Sequence, residues 1–236
     1  MPEHISRKEL KQDRIHDAIE HSAEAVFSHS QMMLVIVVMV LVAALGYFGW
    51  SVYHDKQTAA ASVAFDDAMK AYGGHIAGSP EPADPNGVSY PDEAARSRAA
   101  MQKLSMVADK YPSTNPGKLA RYYAALCMEN LEQQNQALEA LKKIGSGGDK
   151  ELANMANYQI ATIQARTGKT DDAIKMYRAL ADKSSVFVPR PLVLLDLAGL
   201  LRQTNPKEAA NVYQQIKKEF PDSAVSEAAD RGLETL

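Results

Sequence analysis

The fold is decided by residues 171–180, which read DDAIKMYRAL, because their pattern of small and large apolar residues occurs four times in the chain. A small residue recurs every 36 or 37 positions, and larger apolar residues follow it four and seven positions later. This spacing places them on one face of an α-helix, and a fixed period of this length is typical of stacked helical repeats. The small residues are Ala100, Ala137, Ala173 and Ala209; four positions later come Leu104, Leu141, Tyr177 and Tyr213, and seven positions later Val107, Ile144, Leu180 and Ile216.

A second helical pattern precedes these stripes, so the repeating unit is a pair of helices joined by a turn. It occupies residues 118–133, 154–166 and 192–202, with turns expected around Asn135, at 167–170 and at 204–206. Gly168 suits a helix C-terminus, where a positive φ costs glycine little. Asp171 then lies in the first turn of the next helix, where its charge complements the helix dipole. Because no pair can bury its apolar face alone, the stack is the folding unit.

These pairs resemble tetratricopeptide repeats, in which a small residue opens the second helix and a proline closes the unit. Pro112 and Pro221 each lie twelve positions after their alanine, at the closing position. The two middle units lack this proline, and the tryptophan typical of the first helix is absent, so the repeats are divergent. The resemblance covers residues 56–221 and implies an all-α solenoid of about four helical hairpins. Residues 223–236 are expected to form a C-terminal capping helix over the last pair.

The first pair has an irregular connection. Residues 56–72 look helical, but residues 73–90 contain four glycines and three prolines, which exclude a helix. We expect this Gly/Pro-rich insertion to be a mobile surface loop, with a binding loop as the alternative.

Residues 30–53 carry no acidic or basic side chain, and residues 32–45 read MMLVIVVMVLVAAL. A helix of about 22 residues is about 33 Å long, which matches the hydrocarbon layer of a bilayer. Aromatic residues crowd its C-terminal end, as at a membrane interface. The sequence therefore predicts a transmembrane helix over 30–53. A cleaved secretory signal is the alternative, although its apolar region is usually only about 7–15 residues long.

The predicted span separates an N-terminal tail, residues 1–29, from a repeat domain, residues 54–236. The tail carries four Lys and Arg residues against two in an equal stretch after the span, which favours a cytoplasmic N-terminus. Helical spacing predicts that the tail is partly helical between residues 5 and 27. His16 and His21, five positions apart, would lie on diverging faces, so we expect no metal site there.

The layout of tail, single span and alanine-rich repeat domain resembles the YfgM-like bacterial membrane proteins. That resemblance implies an ancillary subunit of the Sec translocon that works with periplasmic chaperones in the bacterial inner membrane. Its N-terminus would be cytoplasmic and its C-terminal domain periplasmic.

Composition and motifs argue against catalysis and nucleic-acid binding. With 26 Lys and Arg against 29 Asp and Glu, the chain lacks the basic excess that neutralises phosphates. The single cysteine, Cys127, excludes a disulfide scaffold and is expected to be a buried thiol. Residues 168–170, GKT, end like a phosphate-binding loop, but the glycine required five positions earlier is Ile163. We expect no enzyme activity, no cofactor and no metal.

Such solenoids bind protein segments on their concave face. The repeat register places ten residues on or near that face: Tyr122, Leu126, Glu129, Met155, Tyr158, Thr162, Arg166, Leu192, Leu195 and Arg202. Tyrosine and arginine are frequent interface anchors, which singles out Tyr122, Tyr158, Arg166 and Arg202. Packing of the tyrosines inside the stack is the alternative. The Lys/Asn pattern of repeats that clamp a chaperone's C-terminal carboxylate is missing from these positions.

We therefore expect a membrane-anchored adaptor that binds protein partners: translocon subunits, periplasmic chaperones or exported chains. A structural scaffold for assembly of an envelope complex is the alternative. A third possibility, an organelle import receptor with its repeats in the cytosol, depends on membrane topology.

Overall fold

A computed structural model describes residues 30–80, 87–183 and 185–236, and these residues form nine helices and two very short strands. The predicted helix and histidines of the N-terminal tail lie outside the described residues, as do residues 81–86 of the insertion. The elements are α1 (Ser30–Tyr72), β1 (His75–Ile76), β2 (Ser89–Tyr90), α2 (Glu93–Lys110), α3 (Asn115–Asn130), α4 (Gln134–Gly145), α5 (Lys150–Arg166), α6 (Thr170–Asp182), α7 (Arg190–Thr204), α8 (Pro206–Glu219) and α9 (Ala224–Glu234).

Helix α1 contains two segments that the sequence predicts as separate helices. The predicted span, 30–53, and the first repeat helix, expected from residue 56, form one uninterrupted helix. The sequence between residues 51 and 72 has no glycine or proline to break it and is rich in alanine. The chain nevertheless divides into two compact units, Met1–Lys56 and Gln57–Leu236.

In the first unit, the described part of α1 exposes its apolar side chains, such as Leu34 at 67% and Leu45 at 71%. Among the described residues, α1 is the one helix long and apolar enough to cross a membrane, and its most apolar stretch of 18 residues has a mean hydropathy of 2.6. Length and composition fit a membrane anchor and a secretory signal alike. An exposed apolar surface of this kind is expected of a helix that meets lipid.

The second unit is a stack of helical pairs, as predicted. Its pairs are the last turns of α1 with α2, then α3 with α4, α5 with α6, and α7 with α8, and α9 packs against the last pair. The four recurring alanines are fully buried, and the eight larger residues of the stripes are buried as well. The repeat period therefore corresponds to the core of the stack.

Local capping sets the helix ends. Asp92, Thr114 and Asp149 accept hydrogen bonds from backbone N–H groups at the starts of α2, α3 and α5. Gly168 adopts a φ of 78° after α5, and the N–H of Lys169 donates to the carbonyl of Gln164 at 2.9 Å, as predicted for a C-terminal cap.

The turn expected around Asn135 lies slightly earlier. Asn135 is already inside α4, and the chain reverses at residues 131–133, where Glu132 adopts a φ of 59°. The N–H of Gln133 bonds to the carbonyl of Met128 at 2.9 Å and closes α3. Its exact position was not predictable from the sequence because a glutamate rarely adopts a positive φ.

Hydrogen bonds hold the two ends of the Gly/Pro-rich insertion together. Strands β1 and β2 pair in parallel, with His75 opposite Ser89 and Ile76 opposite Tyr90. The N–H of Ala77 donates to the carbonyl of Tyr90 at 2.8 Å, and the Arg96 guanidinium donates to the carbonyl of Gly74 at 3.4 Å. A pairing of two residues has no periodicity, so sequence patterns could not predict it.

The C-terminal helix α9 covers the last pair, as predicted. Ser223 caps it by accepting a hydrogen bond from the N–H of Ser226. Gly232 lies against the ring of Tyr213 in α8, where an added Cβ would come within 2.4 Å of the ring. The missing side chain therefore allows the close approach of the two helices.

Candidate protein-binding face

Helices α3, α5 and α7, each the first of its pair, are joined by side-chain hydrogen bonds between neighbouring repeats. Glu129 of α3 accepts from two side chains of α5, and Tyr158 of α5 donates to Asp196 of α7. We call the surface that these three helices share the first-helix face. All ten predicted binding residues belong to these helices.

The predicted residues differ in exposure. Arg166, Leu192 and Arg202 are exposed, and Tyr122 is buried at 7%. The other six are partly buried: Leu126, Glu129, Met155, Tyr158, Thr162 and Leu195. Tyr122 packs with Leu141 and Ile163, its ring 5.6 Å from that of Tyr123. Tyr122 therefore packs inside the stack, which was the alternative for the tyrosines, and it is not available as a surface anchor.

A polar row runs along the first-helix face; we define it as Glu129, Tyr158, Gln159, Thr162, Arg166 and Asp196. The side chain of Glu129 is only 7% exposed; it accepts from the Arg166 guanidinium and, at 2.6 Å, from Nε2 of Gln159. The Tyr158 hydroxyl donates to Oδ2 of Asp196 at 2.5 Å. Thr162 Oγ1 donates to the Tyr158 carbonyl at 3.1 Å and lies 3.2 Å from the Tyr177 hydroxyl.

Burial controls the ionisation of this row. It raises the pKa of Asp196, and the hydrogen bond from Tyr158 partly opposes that rise. Burial also raises the pKa of Tyr158, an effect that the neighbouring Asp196 reinforces. Tyr158 is therefore a neutral hydrogen-bond donor at physiological pH. Outside the row, burial raises the pKa of Tyr122 to about 12.

Apolar side chains lie beside the polar row. Met155 packs against the cores of two successive repeats, and Leu126 and Leu195 each pack against one of them. Partly buried apolar groups next to fixed donors and acceptors can take up the side chains and backbone of an extended segment.

Arg202 has a separate role in the structure. Its Nη1 donates to Oγ1 of Thr235 at 3.0 Å, at the end of the capping helix. Leu192 lies exposed in the first turn of α7. The structure thus brings Glu129, Tyr158, Thr162 and Arg166 into one row, while Arg202 contacts the C-terminal end of the chain.

Sequence reasoning missed Gln159 and Asp196. Asp196 had a detectable signal, because it is the only charged residue between positions 191 and 201. A carboxylate in an apolar helix is buried only with a hydrogen-bond partner, and Tyr158 is that partner. Gln159 had no such signal, since its role depends on a residue thirty positions away.

Two further features concern metal-ligating groups and the single cysteine. They contain no group of three or more His, Cys, Asp or Glu side chains that could hold a metal ion. Cys127 is fully buried, as predicted, and burial raises its pKa to about 11. At neutral pH it is a protonated, inaccessible thiol.

Comparison with protein families gives two matches. A family model described as a tetratricopeptide repeat-like domain matches residues 28–190, and one described as a tetratricopeptide repeat matches residues 192–223. The first match includes the apolar part of α1 as well as three of the helical pairs. Comparison with curated proteins and with solved structures gives no match.

Proposed function

Because the chain belongs to the tetratricopeptide repeat-like domain family, we propose that it is a membrane-anchored adaptor that binds segments of other proteins on its first-helix face. Repeat domains of this kind are protein-interaction modules. The observation that carries the proposal is the polar row, in which side chains of successive repeats fix one another beside partly buried apolar groups.

The anchor is the apolar part of α1, residues 30–53. Its exposed apolar side chains suit lipid, and the family match that begins at residue 28 includes this helix in the domain. The excess of Lys and Arg in the tail favours a cytoplasmic N-terminus and a periplasmic repeat domain in a bacterial inner membrane.

Arg166 is the strongest candidate anchor on the first-helix face. Its side chain is 58% exposed while its guanidinium is oriented by Glu129, so the remaining N–H donors are accessible to a partner. An arginine held in place loses less conformational entropy on binding than a free one.

The partners are translocon subunits, periplasmic chaperones or exported chains. This identification rests on the resemblance of the chain layout to the YfgM-like proteins. A scaffold for assembly of an envelope complex would use the same surface with different partners.

Photo-crosslinking in intact membranes tests the proposal. A benzoylphenylalanine at Leu192, exposed on α7, is compared with one at Lys175, exposed on the second helix α6. We expect crosslinks to translocon or chaperone components from position 192 only, reduced by Arg166→Glu. Crosslinks to cell-wall or outer-membrane assembly components would favour the scaffold, and equal products from both positions would contradict the first-helix face.

Topology is tested separately. An alkaline phosphatase fused after Leu236 is expected to be active in a bacterial host, and an inactive fusion would contradict a periplasmic repeat domain. It would then favour a domain that faces the cytosol.

A further inference from the structure

A groove of about 880 Å³ lies on the second helical pair, between α3 and α4. None of its lining residues is a predicted binding residue or a member of the polar row, although α3 contributes Lys118, Arg121 and Met128 to it. The turn between α4 and α5 and the start of α5 line one end. We call it the α3–α4 groove.

The floor of the α3–α4 groove is apolar. Met128, Ala140, Ile144 and Leu152 line it, from three successive helices. Ile144 and Leu152 are each 8% exposed, so the groove reaches down to the core of the second repeat. Gly147 and Gly148 line the end of the groove at the turn, and neither has a side chain that could fill it.

The rim carries charges of both signs, but its carboxylates are already paired. Glu139 lies 3.1 Å from Nζ of Lys142. Asp149 lies 4.0 Å from Nζ of Lys118 and also accepts a hydrogen bond from the N–H of Leu152 at 3.2 Å. These two groups therefore contribute little net negative potential to the groove.

Two rim cations have no such partner. The side chains of Arg121 and Lys143 are exposed and make no hydrogen bond or ion pair with any residue in the described part of the chain. The groove therefore combines an apolar floor with two unneutralised positive charges on its rim.

We propose that the α3–α4 groove binds a short extended segment of a partner protein in which acidic residues alternate with apolar ones. Successive side chains of an extended segment point to opposite sides, so its apolar side chains can face the floor while its carboxylates face the rim. Arg121 can bind a carboxylate through two parallel N–H donors, and Lys143 binds a second one as a point charge. This binding site is distinct from the one proposed on the first-helix face.

The test uses the full chain in nanodiscs of neutral phosphatidylcholine. The probe is a fluorescein-labelled decapeptide in which leucine alternates with aspartate and glutamate, and binding is measured by fluorescence anisotropy. A peptide in which leucine alternates with lysine controls for non-specific apolar binding. We expect the acidic peptide to bind at least ten times more tightly than the basic one.

Charge-reversal variants locate the site. The double variant Arg121→Glu/Lys143→Glu is expected to weaken binding of the acidic peptide about tenfold, because two ion pairs become repulsive contacts. The matched control, Lys175→Glu/Lys207→Glu, reverses two exposed cations outside the groove and is expected to bind like the unmodified chain.

Three outcomes would overturn the proposal. Unchanged binding by the groove variant with a native circular dichroism spectrum would place the peptide elsewhere. Equal binding of the acidic and basic peptides would remove the role of charge. Self-association that only the groove variant abolishes would assign the groove to a second copy of this chain.

Discussion

Arg166 of α5 and Glu129 of α3 form an ion pair between residues 37 positions apart, which is one repeat length. Tyr158 and Asp196, 38 positions apart, make the corresponding contact between α5 and α7. Each repeat thus supplies a partner for a polar group of the next one. Contacts in a solenoid are made between neighbouring repeats. These two pairs therefore stabilise three successive repeats and also hold the side chains of the first-helix face in place.

Replacing Glu129 removes the acceptor that Arg166 and Gln159 share. We expect Glu129→Ala to lower the free energy of unfolding by about 1–2 kcal/mol, because a nearly buried acceptor of two hydrogen bonds is lost. Glu139→Ala is the control, since its pair with Lys142 is exposed and is worth at most about 0.5 kcal/mol. Urea unfolding followed by circular dichroism at 222 nm measures both, and equal losses would mean that the Glu129 pair contributes no more than a surface pair.

The recurring alanine is needed for its size. Ala173 is fully buried in α6, whereas Ala179 of the same helix is exposed. We expect Ala173→Leu to destabilise the repeat domain by about 1–3 kcal/mol through overpacking, while Ala179→Leu changes stability by less than about 0.5 kcal/mol. The thermal midpoint of each variant checks this. An unchanged thermal midpoint for Ala173→Leu would show that the helices can move apart without loss of stability.

Two glycines should respond in opposite ways to the same substitution. Gly168 has a φ of 78°, so Gly168→Ala is expected to cost about 1 kcal/mol in backbone strain. Gly199 lies inside α7, and an added Cβ would meet no atom within 4 Å. Gly199→Ala is expected to raise the free energy of unfolding by up to about 1 kcal/mol through helix propensity. Urea midpoints that move in the same direction would contradict this assignment.

Asp196 makes stability depend on pH. Burial raises its pKa above the ordinary 3.8, so the folded state binds this proton more tightly than the unfolded state does. Its stabilising contribution is therefore complete below pH 3.8 and is lost as the pH rises through the raised pKa. Asp196→Asn removes this loss, and its stability relative to the unmodified chain should increase with pH across that window.

Asp182→Asn is the control for this pH series, since Asp182 is exposed. The two variants are compared by urea unfolding between pH 3 and pH 7, at the same ionic strength. A stability difference for Asp196→Asn that stays flat with pH would show that Asp196 titrates alike in the folded and unfolded chain.

The sequence predicted the fold well where one periodic pattern extends over a whole helix. The burial of Ala100, Ala137, Ala173 and Ala209 follows from their spacing, since one face of each helix must be covered. The exact position of the turn at Glu132 and the pairing of β1 with β2 were not predicted, because each depends on two or three residues, too few to form a pattern.

The first-helix face was predicted only in part. Periodicity placed Tyr122 and Tyr158 at equivalent positions, yet Tyr122 is buried beside Tyr123 and Tyr158 reaches Asp196. An amphipathic ring suits either environment, so the side chains of the neighbouring repeat decide between them. The roles of Arg166 and Arg202 differ for the same reason, because one has Glu129 opposite it and the other has Thr235.

The sequence by itself determined the helical repeat, its period, the buried stripe and the apolar character of residues 30–53, because these depend on regular spacing within single helices. The tertiary structure decided which polar side chains meet across repeats and where the α3–α4 groove opens between helices. The polar pairs join positions thirty or more residues apart, and the groove forms between separate helices, so helix periodicity carries no information about which partner lies opposite.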